Sequence, residues 1–131
     1  TQMLNHPNGA TGYRIEHRGK SMCYVTDTEH IPGKPDQNVL SLIEGADLVI
    51  YDSTYTEEEF PAKVGWGHSC ISKVVELADK AEVKTLYLFH HDPDQSDADI
   101  DQKLATAADL LAKRNSTTEV LAPRVGQRFN I

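Results

Sequence analysis

Alternating strand and helix signals predict an α/β fold built in layers. Two observations carry this. Three short β-rich runs, Ser21–Thr26, Asp47–Asp52 and Lys84–Phe89, punctuate the chain. Between and after them, apolar residues recur three and four apart, the spacing of one buried helix face. At 131 residues the chain is long enough for one domain with a real core, and it shows no repeat, low-complexity tract or linker.

The elements follow in order. Residues 1–11 are polar and rich in turn formers, and His6-Pro7-Asn8-Gly9 reads as a tight turn, because proline fixes one φ and Asn-Gly favours positive φ. Gly12–His17 alternates apolar Tyr13 and Ile15 with polar Arg14 and Glu16, the pattern of a half-buried strand. Arg18-Gly19-Lys20 turns the chain into a second strand, Ser21–Thr26, so the two form an antiparallel hairpin. Asp27–Asp36 holds two prolines and a glycine and is loop. Asp36 is placed to cap a short helix through Val39, Leu40, Leu42 and Ile43, ended near Gly45. Asp47–Asp52 is a buried strand ending on a carboxylate.

Ser53–Gly67 is a long acidic loop, of the length that usually carries function or mobility. A helix begins at Ser69, with Ile71, Val74, Val75 and Ala78 on its apolar stripe. Lys84–Phe89 is the next buried strand. Ile100, Leu104, Ala107, Ala108 and Leu111 mark a final helix closed by Lys113 and Arg114, and Val120-Leu121 a last short strand.

Composition excludes several functions. The net charge of −7 argues against a Lys/Arg surface for nucleic acid, although bound divalent metals can supply positive charge locally to an anionic substrate. Two cysteines without C-x-x-C spacing exclude a zinc ribbon and a disulfide framework, and read as reduced thiols of a cytoplasmic protein. No apolar run approaches the ~18 residues that span a bilayer, so no membrane partner is expected. There is no G-x-G-x-x-G, P-loop lysine motif or G-x-S-x-G elbow. The aspartates of 92–101 are not a calcium loop: counted from Asp92, the sixth and twelfth positions are Asp97 and Lys103, where glycine and glutamate are required. Acidic residues around a first helical turn follow from the helix dipole.

Candidate site residues sit where elements end. His6 lies in the proline-glycine turn, either as a surface histidine or as a metal ligand held rigidly. Asp27 follows an apolar strand directly; it can cap a turn, or ligate and bridge divalent metals. His90, His91 and Asp92 end another strand, and alternation sends the two imidazoles to opposite faces. His68 precedes a helix, near N–H groups that favour anions, where it can protonate a leaving oxygen; Asp52 can orient and charge it. The plainer alternatives are a capping partner for His68 and a turn former for Asp52.

The order of these stretches resembles the metallo-β-lactamase superfamily, and is most similar to its phosphodiesterase branch. That branch holds the tRNA 3′-end-processing endonucleases of the tRNase Z type and the phosphoribosyl cyclic phosphodiesterases. Leu4-Asn5-His6-Pro7-Asn8-Gly9-Ala10-Thr11-Gly12-Tyr13 resembles the third-motif histidine segment, Tyr24-Val25-Thr26-Asp27-Thr28-Glu29 the fourth motif and Leu86–Pro93 the fifth. Gly67-His68-Ser69-Cys70 resembles the endonucleases' Gly-His-Ser-Thr loop, and Ala46–Tyr55 the strand that delivers an acid to it, with Asp52 where they use Glu.

The resemblance implies an αββα sandwich of which residues 1–131 form the C-terminal half, a single partial domain, because no His-x-His-x-Asp-His string occurs. It also implies phosphodiester hydrolysis at two divalent metals, zinc first and manganese as the alternative. In that reading His6 and His90 ligate, Asp27 bridges, Asp52 and His68 help protonate the leaving oxygen, and Ser69 holds a phosphate oxygen. The chain alone is expected to be incomplete and inactive. It would pair with the missing half of the fold or self-associate through an uncovered face. The substrate expected is a small phosphodiester rather than nucleic acid. The alternative is a non-catalytic binding or assembly module that keeps the fold. A phosphoacceptor receiver ranks last, because the acidic pair and late lysine it needs are not in place.

Overall fold

A computed structural model describes residues 1–131. Six strands form one mixed sheet in sequence order: β1 (Gln2–Leu4), β2 (Ala10–His17), β3 (Lys20–Val25), β4 (Leu48–Asp52), β5 (Thr85–Phe89) and β6 (Glu119–Leu121). β1, β2 and β3 pair antiparallel, and β3 to β6 run parallel. The parallel crossovers are α1 (Gln37–Ile43), α2 (Ile71–Lys80) and α3 (Asp97–Lys113). α2 packs between α1 and α3, so the helices form one layer. Val39 and Ile43 of α1, Val74 and Val75 of α2 and Ala107 of α3 meet Val49, Tyr51, Leu86 and Leu88 of the sheet in one core.

Local chemistry accounts for the element ends. Arg18 and Gly19 both have positive φ and join His17 to Lys20, the two-residue turn whose twist suits a hairpin. Asp36 caps α1 by accepting from Asn38 N and Val39 N. Ser96 and Asp99 form a reciprocal capping box on α3, which gives that acidic run a local structural role.

Three expectations change. β1 lies within residues expected to be turn; with Leu4 buried and Met3 exposed it is too short to show a period. The long loop after β4 is organised by a Tyr55–Cys70 bridge and a 3-10 turn, Phe60–Ala62. In β2 the apolar alternation faces away from the helices. Gly12 and Arg14 turn inward: a Cβ on Gly12 would meet Leu42 Cδ2 at 2.7 Å, and Arg14 Nη1 donates to Leu42 O at 3.0 Å.

The outward stripe continues across the sheet, with Tyr13 opposite Tyr24 and Ile15 opposite Met22. Tyr13, Ile15, Tyr24 and Phe89 are 48%, 55%, 37% and 40% exposed. The C-terminal segment crosses part of this face, Phe129 lying edge-on to Tyr87 with ring centroids 4.7 Å apart. No helix is long and apolar enough to cross a membrane.

Candidate functional site

The C-terminal ends of three neighbouring parallel strands carry the site, the edge of an α/β sheet where ligands usually bind. Asp52 is the last residue of β4, Asp27 lies two residues past β3, and His90 directly follows β5. Asp27 and His90 both adopt left-handed backbone, φ 61° and 56°. That conformation costs non-glycine residues of order 1 kcal/mol and persists where the surroundings fix it. The turn between β1 and β2 adds His6, and the loop before α2 adds His68.

Asp52 is fully buried and organises the rim. Its Oδ2 accepts from His68 Nδ1 at 2.9 Å, Asp27 N at 3.1 Å and Thr28 N at 3.3 Å. Its Oδ1 accepts from Thr54 Oγ1 at 2.7 Å, Thr54 N at 3.1 Å and Ser69 N at 3.4 Å. Burial alone would raise its pKa, but the bonds from His68 and Thr54 prevail and hold the carboxyl below its ordinary value. The same bond, to Asp52, raises the His68 pKa against the opposing effect of burial. His68 is therefore biased toward its charged form, with Nδ1 committed to Asp52 and Nε2 left for other partners.

Around His68 the other donors converge. Its ring stacks on His90 with centroids 4.8 Å apart and meets His6 edge-on at 5.9 Å. His90 Nε2 lies 3.6 Å from Asp27 Oδ1. One ligand atom each from His6, Asp27 and His68 lie within 4.8 Å of one another, as do those of Asp52, His68 and His90. Imidazole nitrogens and carboxylate oxygens at this spacing are the donor set of zinc or a similar divalent ion, so the residues present fit a metal. His68 joins both groups, whereas the sequence placed it outside the ligand set.

Strand alternation does not govern His90 and His91, because β5 ends at Phe89 and His90 is left-handed. They nonetheless separate: His91 is half-buried, and burial, helped by the charge of Lys103, lowers its pKa to about 4. Ser69 is corrected outright. It is fully buried and its hydroxyl donates to Thr28 O at 2.6 Å, so it ties two loops together and presents nothing to a phosphate. The N–H groups beside it are also engaged, Ile71 N with Tyr55 O and Ser72 N with Glu57 Oε1.

Two contributors escaped the sequence reading. Glu29 Oε2 accepts from Gly65 N at 2.7 Å and Gly67 N at 3.0 Å, which fixes the loop presenting His68. Thr54 sits between Asp52 and His90. The spacing of Thr54 two residues after Asp52 is a carboxylate–backbone turn signal that could have found it; nothing local singles out Glu29.

Comparison with known proteins identifies the family. The sequence model of the "Beta-lactamase superfamily domain" matches residues 2–91. Ribonuclease Z of Saccharolobus solfataricus is 33% identical over 93 residues, 71% of this chain and 30% of that protein. Ribonuclease Z of Brevibacillus brevis is 35% identical over 95 residues, 72% of this chain and 27% of that protein. The chain thus spans about a third or less of the length of these relatives. A metallo-beta-lactamase fold protein of Bacillus subtilis superposes with a TM-score of 0.73 at 18% identity, over 95% of this chain and 46% of that one. The short form of human tRNase Z superposes at 0.61 and 23% identity, over 72% of this chain and 35% of that one. The family match covers well over half of the residues and includes all five convergent side chains, and on that ground the chain belongs to the β-lactamase superfamily, in its metallo-β-lactamase fold.

Proposed function

We propose that this chain is part of a metal-dependent phosphodiester hydrolase. The observation that carries the proposal is the convergence of His6, Asp27, His68 and His90 beside a buried aspartate bonded to His68 Nδ1. Membership of the family brings divalent metal binding with it; zinc, with manganese as the alternative, suits these donors. When bound, such metals supply Lewis acidity and offset the negative charge of the phosphodiester.

The chain's own part is to hold and to protonate. His6, Asp27 and His90 hold the metals. His68 Nε2 delivers a proton to the leaving oxygen as the phosphorus–oxygen bond breaks, and Asp52 stabilises the imidazolium before transfer. An acidic chain can handle an anionic substrate in this way, and a small phosphodiester demands no basic surface. Three ligand positions are too few for a closed binuclear site, so the activity belongs to a larger assembly. The exposed stripe of Tyr13, Ile15, Tyr24 and Phe89 supports this, because it is the face that the other half of the fold, or a second copy, would cover.

The test is metal content by mass spectrometry, alone and with the N-terminal half of a relative added, alongside hydrolysis of bis(p-nitrophenyl) phosphate. About two metals and turnover only in the combined sample are expected. No tight metal in either sample overturns the proposal in favour of a non-catalytic module.

A further inference from the structure

We propose that Lys103 is a positioning residue for the His–Asp centre, acting from α3 through Thr54. The proposal rests on the metal-site reading above and concerns a residue outside the convergent donors.

Lys103 is 1% exposed and shares the inward face of α3 with Ala107 and Leu111. An ammonium in such a place must be fully bonded, because an unpaired buried charge is strongly unfavourable. It is: Nζ donates to Ser53 O at 2.6 Å, Thr54 O at 3.1 Å and Gln95 Oε1 at 2.7 Å, which uses all three of its protons. An apolar side chain would fill the same core position without that requirement. The reason for a cation therefore lies in what it grips.

Lys103 grips the two peptides that follow Asp52. Ser53 N and Oγ both donate to Phe89 O at 2.9 Å, which joins the ends of β4 and β5. Thr54 Oγ1 lies 2.7 Å from Asp52 Oδ1, 2.6 Å from His90 O and 3.2 Å from His90 Nδ1. Gln95 reinforces the grip: its Nε2 donates to Thr54 O at 3.1 Å and to Glu59 Oε2 at 3.2 Å.

One hydroxyl thus serves both halves of the centre. Its one proton lies within reach of Asp52 Oδ1 and of His90 O, so it ties the carboxylate that accepts from His68 to the backbone of His90. In the proposal Oγ1 also accepts from His90 Nδ1–H at 3.2 Å, which leaves the Nε2 lone pair for a metal beside Asp27. Outer hydrogen bonds of this kind set the orientation and basicity of ligating histidines. Without the ammonium, Ser53 O loses its side-chain donor and Thr54 O keeps only Gln95 Nε2, so the grip on the two peptides weakens and both functions loosen together.

The test compares Lys103→Met, which keeps bulk and removes the donors, with Thr54→Val, the double variant and Leu104→Ala. Leu104→Ala weakens the same helix without touching the rim, so it reports a merely structural effect. Two readouts are taken: ring-nitrogen NMR of His68 and His90 on the chain, and zinc affinity by titration with the N-terminal half of a relative added. Lys103→Met is expected to mix the His90 tautomers and weaken zinc binding about tenfold. Thr54→Val should do the same, the double variant no more, and Leu104→Ala neither.

Parent-like tautomers and affinity in folded Lys103→Met overturn the proposal, as does an equal effect from Leu104→Ala. If Lys103→Met does not fold, Gln95→Leu decides. It leaves the ammonium but removes one partner and the second grip on Thr54, and a tautomer shift supports the proposal where none overturns it. A parent chain that binds no zinc even with that half present, yet whose His90 tautomer responds to Lys103→Met, supports the positioning role and sinks the metal reading instead.

Discussion

His68 and Asp52 are coupled through one 2.9 Å bond, and that coupling sets what single substitutions do. In the proposed hydrolase His68→Ala should retain its metals, because His6, Asp27 and His90 remain, while turnover falls by about 10²–10⁴, the usual size of lost acid catalysis. Loss of metal on His68→Ala, measured by mass spectrometry, would make His68 a ligand. His68 and His91 predict opposite pH slopes. The His68 pKa is raised, chiefly by its bond to Asp52, so its stabilisation is complete below the ordinary histidine value and fades as pH rises through the folded one. The His91 pKa is lowered to about 4, chiefly by burial. Between pH ~6.5 and ~4 the unfolded chain therefore binds the extra proton at His91, and stability falls with falling pH, by about 1–3 kcal/mol for this group. Urea midpoints across that window should show the loss, and His91→Leu should reduce it, leaving the part due to His30, whose pKa burial also lowers. The sequence showed all five convergent residues because each is polar at the end of an apolar run or inside a glycine turn. Ser69 misled because a sequence places a hydroxyl near a helix start without showing which way it points. Glu29 stayed hidden because its partners are backbone amides 36 and 38 residues away.

The same asymmetry between local and distant information holds for elements. The Asp36 cap, the hairpin turn and the strands within Ser21–Thr26, Asp47–Asp52 and Lys84–Phe89 follow from residues within a few positions of each other, and they were legible. β1 was not, since it exists only as a partner for Ala10–Gly12. The loop before α2 shows how tightly such distant partners constrain an element. Gly67 has φ +90°, and a Cβ there would collide with the His6 ring and stand 2.8 Å from its Nε2. Gly67→Ala combines an unfavourable left-handed alanine with that collision. It should destabilise the chain by about 2 kcal/mol or more and displace His6. Gly65→Ala supplies the comparison: it shares the positive φ, at +91°, but meets nothing within 4 Å. Thermal melts should rank Gly67→Ala below Gly65→Ala, and only Gly67→Ala should weaken metal binding. Equal melts and equal affinities would mean that the His6 contact does not hold the loop in place.

For the whole molecule, the informative disagreement lies in β2. Its alternation correctly signalled a strand, yet the apolar residues face away from the helix layer, because one sequence period cannot say which of two faces has its cover in the same chain. A sheet with helices on one side and Tyr13, Ile15, Tyr24 and Phe89 on the other is a layer short of the architecture that would bury both faces. Contact through this face should be driven by apolar burial, opposed by a net charge of −7, and therefore strengthened by moderate salt, which screens the repulsion. In the absence of another partner, sedimentation of the chain should show concentration-dependent association that increases from low to moderate ionic strength. Ile15→Lys places a charge in the middle of the stripe and touches none of the core. It should shift the population toward monomer while leaving the melting temperature of the dilute chain within a few degrees of the parent. A parent chain that stays monomeric at high concentration would leave the face for the other half of the fold, and Ile15→Lys should then block reconstitution with that half. If Ile15→Lys changes neither association nor reconstitution, the stripe is not an interface, and the inverted pattern of β2 has some other cause.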